Sequence, residues 1–168
     1  MSTENIHHET EAREKLKNLV EDIKFCFLCS NLAFRPFDAT PMTTQAVDPD
    51  GSIWFIASKE TSTYQTILSD PTVQLLYAAP SDAKYVSVYG TAEAIYDRAR
   101  IDAYWSTFVE GWFPGGKEDP NVILIRVRPT DAHYWDTKSN KMVAYAKAIF
   151  SALTGVKHDE GRHGDIEL

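Results

Sequence analysis

The segment IWFIASKETS, residues 53–62, starts as a run of bulky apolar side chains and finishes in Ser58, Lys59, Thr61 and Ser62. Hydroxyls that donate hydrogen bonds, with one mobile ammonium among them, are what a phosphate-like anion needs from a pocket. The helix suggested by STYQTIL (62–68), with Ser62 as its N-cap, would add backbone NH groups and a favourable dipole at the same corner. An exposed strand end, its polar groups facing water, accounts for the same residues without a ligand.

Other reactive residues offer less. Cys26 and Cys29 in CFLC have the spacing of a redox pair, but such a pair works when its first thiol opens a helix. The flanks KFCFLCS read as a strand, on which residues three apart point to opposite faces, so two buried thiols are expected. His133 reads as a structural side chain in a strand, and His7, His8, His158 and His163 fall in polar terminal segments, so no metal site is expected. The chain shows no serine-nucleophile motif and no Gly-rich phosphate loop, and no side chain is assigned as catalytic.

The elements that must position the cluster are mostly strands. A first amphipathic helix carries Leu16, Leu19, Val20 and Ile23 at spacings of three and four. FCFLCS follows as a strand, then the irregular link NLAFRPFDA, then the strand TPMTTQAV. DPDG turns the chain back into SIWFIA. STYQTIL is a short helix with Tyr64, Ile67 and Leu68 on one side, and TVQLLYAA is a strand ended by Pro80. YVSVYGTAEAIYD alternates, with Val86 and Val88 on one face, and Gly90 marks a bulge or a close backbone approach. A helix over 98–109 leads to the aromatic loop EGWFPGGKEDP, and VILIRVRP is a further strand followed by AHYWD. KMVAYAKAIFSAL suggests a terminal helix or a strand passing into one, and residues 157–168 a loose charged tail.

The gross numbers bound the class. At 168 residues, 43% hydrophobic and 24% charged, residues 1–156 suit one globular domain with a core of its own. A net charge of −7 argues against general nucleic-acid binding, and the apolar runs fall well short of the roughly 20 residues of a membrane span. The polar N-terminal stretch is unlike a secretory signal, so a cytoplasmic location is expected. Strands interrupted by helices, without repeat or linker, suit a small barrel with helices packed outside it.

Six pieces in order make the chain recognisable: TPMTTQ (40–45), IWFIASKETS (53–62), DPTVQLLY (70–77), YVSVYGTAE (85–93), WFPGGKEDPN (112–121) and AHYWD (132–136). Across about residues 10–140 it resembles the general stress protein 26-like branch of the pyridoxamine 5′-phosphate oxidase-like flavin-binding split barrels. The resemblance implies a mainly β (α+β) fold, a six-stranded split β-barrel with flanking helices, paired as a homodimer with FMN at the interface. FAD is accommodated if the groove is open. It also implies that Pro41, Met42, Thr43 and Thr44 run along the isoalloxazine edge, and that Phe55, Ile56, Ala57, Ser58 and Lys59 take the ribityl chain and phosphate. Thr63 falls at a phosphate-neighbourhood position, and Gln74, Trp112 and Trp135 fall near the flavin. Gln45 and Gln74 have amides suited to the flavin ring, or serve as ordinary strand polar positions. Trp112 and Phe113 contact flavin or pack across a dimer interface, and Trp135 has the same two roles open to it. The family commonly carries Arg where this chain has Thr40, and Lys where it has Thr63, which leaves Lys59, or Arg35 in its stead, as the cation for a phosphate.

The function implied is that of an FMN-binding general stress protein, a flavin-dependent oxidoreductase acting on a small molecule; the alternative is a non-catalytic flavin store or sensor. True pyridoxamine 5′-phosphate oxidation is not expected, since YWDTKSNKMVAYAKAIFSALTG does not match the Trp and Arg signature those enzymes carry there.

Overall fold

Strand β5 (Ile53–Ser58) shows how the sequence builds the molecule. Ile53, Phe55 and Ala57 enter the barrel core, while Trp54 and Ile56 pack with Ile101, Val109, Val122 and Leu124 in a second cluster. A strand covered on both faces reads as an unbroken apolar run rather than an alternation.

The computed structural model describes residues 2–3, 9–136 and 162–167. In chain order the remaining elements are β1 (Ser2–Thr3), α1 (Glu9–Ile23), β2 (Phe25–Ser30), β3 (Asp38–Thr43), β4 (Ala46–Val47), α2 (Ser62–Ser69), β6 (Thr72–Ala79), β7 (Lys84–Ile95), α3 (Arg98–Tyr104), α4 (Thr107–Glu110), β8 (Val122–Asp136) and β9 (Arg162–Glu167). The strands form one curled, almost wholly antiparallel sheet with the helices outside it, the split barrel expected. Among the described residues seven strands are six residues or longer, one more than expected, because β9 joins the sheet.

Strand β8 organises this sheet. From Leu124 to Trp135 it pairs with β7, and its other edge takes β5 along Val122–Val127 and β9 along Asp131–Asp136. Residues Arg162–Glu167 were expected in a loose tail; the edge of β8 beyond the end of β5 offers them a backbone ladder, which needs no apolar pattern, and β1 pairs with them on the far side. The segment 141–153, expected as a helix or a strand passing into one, lies outside the described residues.

Pro129 does not end β8, because it stands opposite Gly90 where the register shifts between Tyr89 and Gly90. A Cβ on Gly90 would lie 2.2 Å from the Arg128 carbonyl oxygen, so the close approach excludes any other residue, and the bulge accommodates a proline that has no NH to donate.

Two helix boundaries differ from the sequence reading. Thr61, not Ser62, caps α2: its Oγ1 accepts from the Tyr64 NH at 3.2 Å and donates to the Ser58 carbonyl at 2.8 Å. The expected helix over 98–109 is broken in two, because the Ser106 hydroxyl accepts from the Val109 NH at 3.3 Å and starts α4 afresh. The α1 face is as read, with Leu16, Leu19, Val20 and Ile23 all buried against the sheet. In α2 Ile67 is buried, whereas Leu68 is exposed.

Candidate functional site

Strand β3 ends the sheet beyond β2, while β5 branches from β8 and carries β4 on its other edge; β3 and β5 share no ladder among the described residues. The chain passes from β3 to β4 through Thr44 and Gln45, whose NH groups donate to the carbonyls of Lys24 and Trp54 at 2.9 and 2.8 Å. Between β3 and β5 runs a groove of about 590 Å³.

Its walls come from several elements. Thr40, Pro41, Met42 and Thr43 of β3, with Gln45, form one; Ile56, Ala57 and Ser58 of β5 face them. Thr61 and Thr63, at the start of α2, add hydroxyls beside Ser58. Phe25 and Phe27 of β2 and Leu76 and Ala78 of β6 supply an apolar floor. Phe108, Val109, Trp112 and Phe113, from α4 and the turn after it, add the remaining side. Val109 anchors that side in the Trp54 cluster, and the rings of Phe25, Phe108 and Trp112 meet edge-on in series, with centroids 6.2 and 6.5 Å apart.

The groove is without formal charge. No Asp, Glu, Lys, Arg or His is among the residues that line it. Lys59 lies outside the lining, and its Nζ donates to the Pro120 carbonyl at 3.0 Å. Arg35 is exposed in the link after β2, also outside the lining. Where the family commonly carries two basic residues, the Thr40 and Thr63 hydroxyls bond each other at 2.8 Å. Cys26 is among the residues along the groove, but its side chain is buried in the core beside Tyr77, where burial pushes the thiol up to about 12 and keeps it protonated at neutral pH. Cys29 is raised by burial as well, and both cysteines are free and buried, as read.

The structure therefore brings Pro41, Met42, Thr43, Ile56, Ala57, Ser58, Thr63 and Trp112 together around one groove. The other expected residues lie elsewhere. Phe55 is fully buried in the core. Thr44 is buried and shares a 2.7 Å hydrogen bond with the Tyr77 hydroxyl. Gln74 donates from Nε2 to the Ser87 hydroxyl at 2.7 Å, while Gln45 does line the groove and donates to the Thr43 carbonyl at 2.9 Å. Trp135 lines a second depression of about 370 Å³, set edge-on to His133, and Phe27, Leu76 and Ala78 belong to the rims of both. The floor residues Phe25, Phe27, Leu76 and Ala78, with Phe108, were not foreseen. The available signal was that β2 reads FCFLC, apolar at consecutive positions, which a strand with one wet face would not be. Among the described residues no group of His, Cys, Asp and Glu could hold a metal ion, and no helix is long and apolar enough to cross a membrane.

Comparison with known proteins agrees with this architecture. The chain is 32% identical over 83 residues to general stress protein 26 of Bacillus subtilis strain 168, covering 48% of this chain and 59% of that protein. It spans 59% of the length of each of two curated relatives it matches. Among solved structures, one from Jannaschia sp. CCS1 named for general stress protein 26 superposes with a TM-score of 0.76 at 25% identity, covering 94% of this chain and 99% of that one. The general stress FMN/FAD binding protein of Xanthomonas citri superposes with a TM-score of 0.65 at 26% identity, covering 77% of this chain and 92% of that one. The family model described as pyridoxamine 5′-phosphate oxidase like matches residues 11–159, and the chain belongs to that family.

Proposed function

We propose that the groove between β3 and β5 binds a flavin. The observation that carries this reading is the placement of Pro41–Thr43 and Ile56–Ser58 on facing walls of one groove with an apolar, aromatic floor. An isoalloxazine is flat and mostly apolar, and the Phe25, Phe108 and Trp112 rings offer it edges and faces to pack on. The hydroxyls of Thr43, Ser58 and Thr61 suit a ribityl chain. A relative of the same fold named as FMN/FAD binding supports the assignment. An absorption spectrum of the purified protein, followed by titration with flavin, tests it; no flavin bound at any concentration tried sinks it.

The expected homodimer is part of the proposal. Phe25, Phe27 and Leu76 are 58%, 51% and 41% exposed on contiguous groove floor, and Tyr85 beside them is 39% exposed. Soluble monomers rarely leave such a patch open. A second copy laid over it would place the flavin groove at the seam.

A bound flavin would supply electron or hydride transfer, while the protein binds, orients and shields it. No lining side chain is charged and the Cys26 thiol beneath the groove is buried and held protonated, so acid or base chemistry by these residues is not part of the proposal. A flavin-dependent oxidoreductase acting on a small molecule is the reading preferred. The same bare lining suits a flavin store or sensor, and reduction of the flavin-loaded protein by NADH or NADPH separates the two. Turnover supports the enzyme, and flavin that stays oxidised supports the binder. The cytoplasmic location expected from composition stands as part of this proposal.

A further inference from the structure

Groove charge decides which form of a ligand is favoured. A phosphate group carries close to two negative charges at neutral pH, and moving it from water into a partly closed groove is unfavourable unless cations or several strong donors replace its hydration. Here no cationic side chain lines the groove, and Lys59 is tied to the Pro120 carbonyl. The hydroxyls nearest the expected anion corner are neutral and partly engaged, so they give an anion a few donors but no charge. Thr40 and Thr63 bond each other, Thr61 both donates to the Ser58 carbonyl and accepts from the Tyr64 NH, and Ser58 accepts from the Glu60 NH at 3.2 Å. The chain as a whole carries a net charge of −7, which opposes approach of an anion. The start of α2 faces this corner, but one short helix favours an anion only a few-fold.

We infer that the groove does not use a ligand's phosphate: resting on the flavin reading above, riboflavin binds as tightly as its 5′-phosphate, because the Thr40–Thr63 pair stands in the lining where a cation would favour the phosphate. A sugar-alcohol chain both donates and accepts hydrogen bonds, so it can use the Ser58 and Thr43 hydroxyls without a cation. The phosphate of FMN gains nothing comparable.

Titration of the full-length protein with riboflavin and with FMN, read by quenching of flavin fluorescence at low and high salt, tests this directly. Expected are affinities within roughly threefold of each other and an FMN affinity that salt hardly changes. Thr63→Lys, and separately Thr40→Arg, should raise the ratio of FMN to riboflavin affinity by about tenfold and make FMN binding salt-sensitive. Circular dichroism checks that each variant is folded, and the wild-type comparison stands without them. FMN bound more than about tenfold tighter than riboflavin by the wild-type protein would overturn the inference while leaving the flavin reading intact. So would a loss of FMN affinity alone in Lys59→Ala. Binding of neither flavin would overturn both.

Discussion

The hydroxyls of Thr40 on β3 and Thr63 on α2 lie 2.8 Å apart and tie the edge of the sheet to the first turn of a helix across the candidate groove. Thr63 is 2% exposed, so its hydroxyl depends on this partner. Thr40→Val should destabilise the protein by ~1–3 kcal/mol, the cost of a buried hydroxyl left unpaired. Thr40→Val with Thr63→Val should recover much of that loss, since two apolar groups of the same shape meet instead. Urea unfolding of the four proteins of this cycle measures both effects; additive losses would mean the bond contributes nothing.

Trp112 is 73% exposed at the groove and stands edge-on to Phe108. A residue so exposed adds little to the stability of a single chain. Trp112→Ala should therefore leave the unfolding midpoint nearly unchanged yet weaken flavin binding by roughly tenfold, the scale of one lost aromatic contact. Comparing flavin titrations of the two proteins checks this, and equal affinities would place the ring outside the binding contact.

Leu76 is 41% exposed and belongs to the rims of both depressions. A carboxylate there would be carried into the seam of the proposed dimer without a partner. Leu76→Asp should shift the protein from dimer to monomer in light scattering after gel filtration, with the fold retained by circular dichroism. A wild-type protein that is already monomeric at high concentration would remove the second copy from the proposal.

Asp48 accepts from the Trp54 indole NH at 2.9 Å and from both terminal nitrogens of Arg100, whose Cζ lies 4.3 Å from the indole ring centre. Trp54 is 3% exposed, and it packs with Val109, the residue that anchors the aromatic side of the groove. Asp48→Ala should cost ~2 kcal/mol, most of it from the buried indole NH that loses its acceptor, since Arg100 is part-exposed and its ion pair is screened. Urea unfolding measures the loss, and high salt should change it little.

Alkaline pH should weaken the fold. Burial raises Cys26 from 9.0 to about 12, and it also raises Tyr77 well above its usual value. A group with its folded value raised contributes stability that is complete below its unfolded value and is lost as pH rises toward the folded one. Unfolding free energy should therefore fall as pH climbs from 9.0 toward about 12, and Cys26→Ala should make that slope shallower. At pH 8 a thiol reagent should react with Cys26 and Cys29 only as fast as the protein opens.

Particular residues show where sequence was enough. Leu16, Leu19, Val20 and Ile23 repeat at helical spacing and all four are buried. Gly90 in an alternating strand announced a bulge, and the register shifts there. The two faces of β5 were legible as an apolar run ending in hydroxyls, and Ser58 does reach the groove. Lys59 was next to it in the chain but not in the site. Which way a long side chain leaves a strand end depends on what carbonyl lies within reach, and Pro120 is 61 residues away in sequence.

Local pattern determined the elements and the family order of motifs, because periodicity, glycine and cap chemistry act over a few residues. Tertiary structure alone decided the site, because its floor and walls are drawn from β2, β3, β5, β6, α2 and α4. Whether a groove is charged depends on which side chains converge there, and convergence is a property of the closed sheet rather than of any one segment. Thr40 and Thr63, 23 residues apart in the chain, meet only because the curled sheet brings its end strand β3 beside the helix that follows β5.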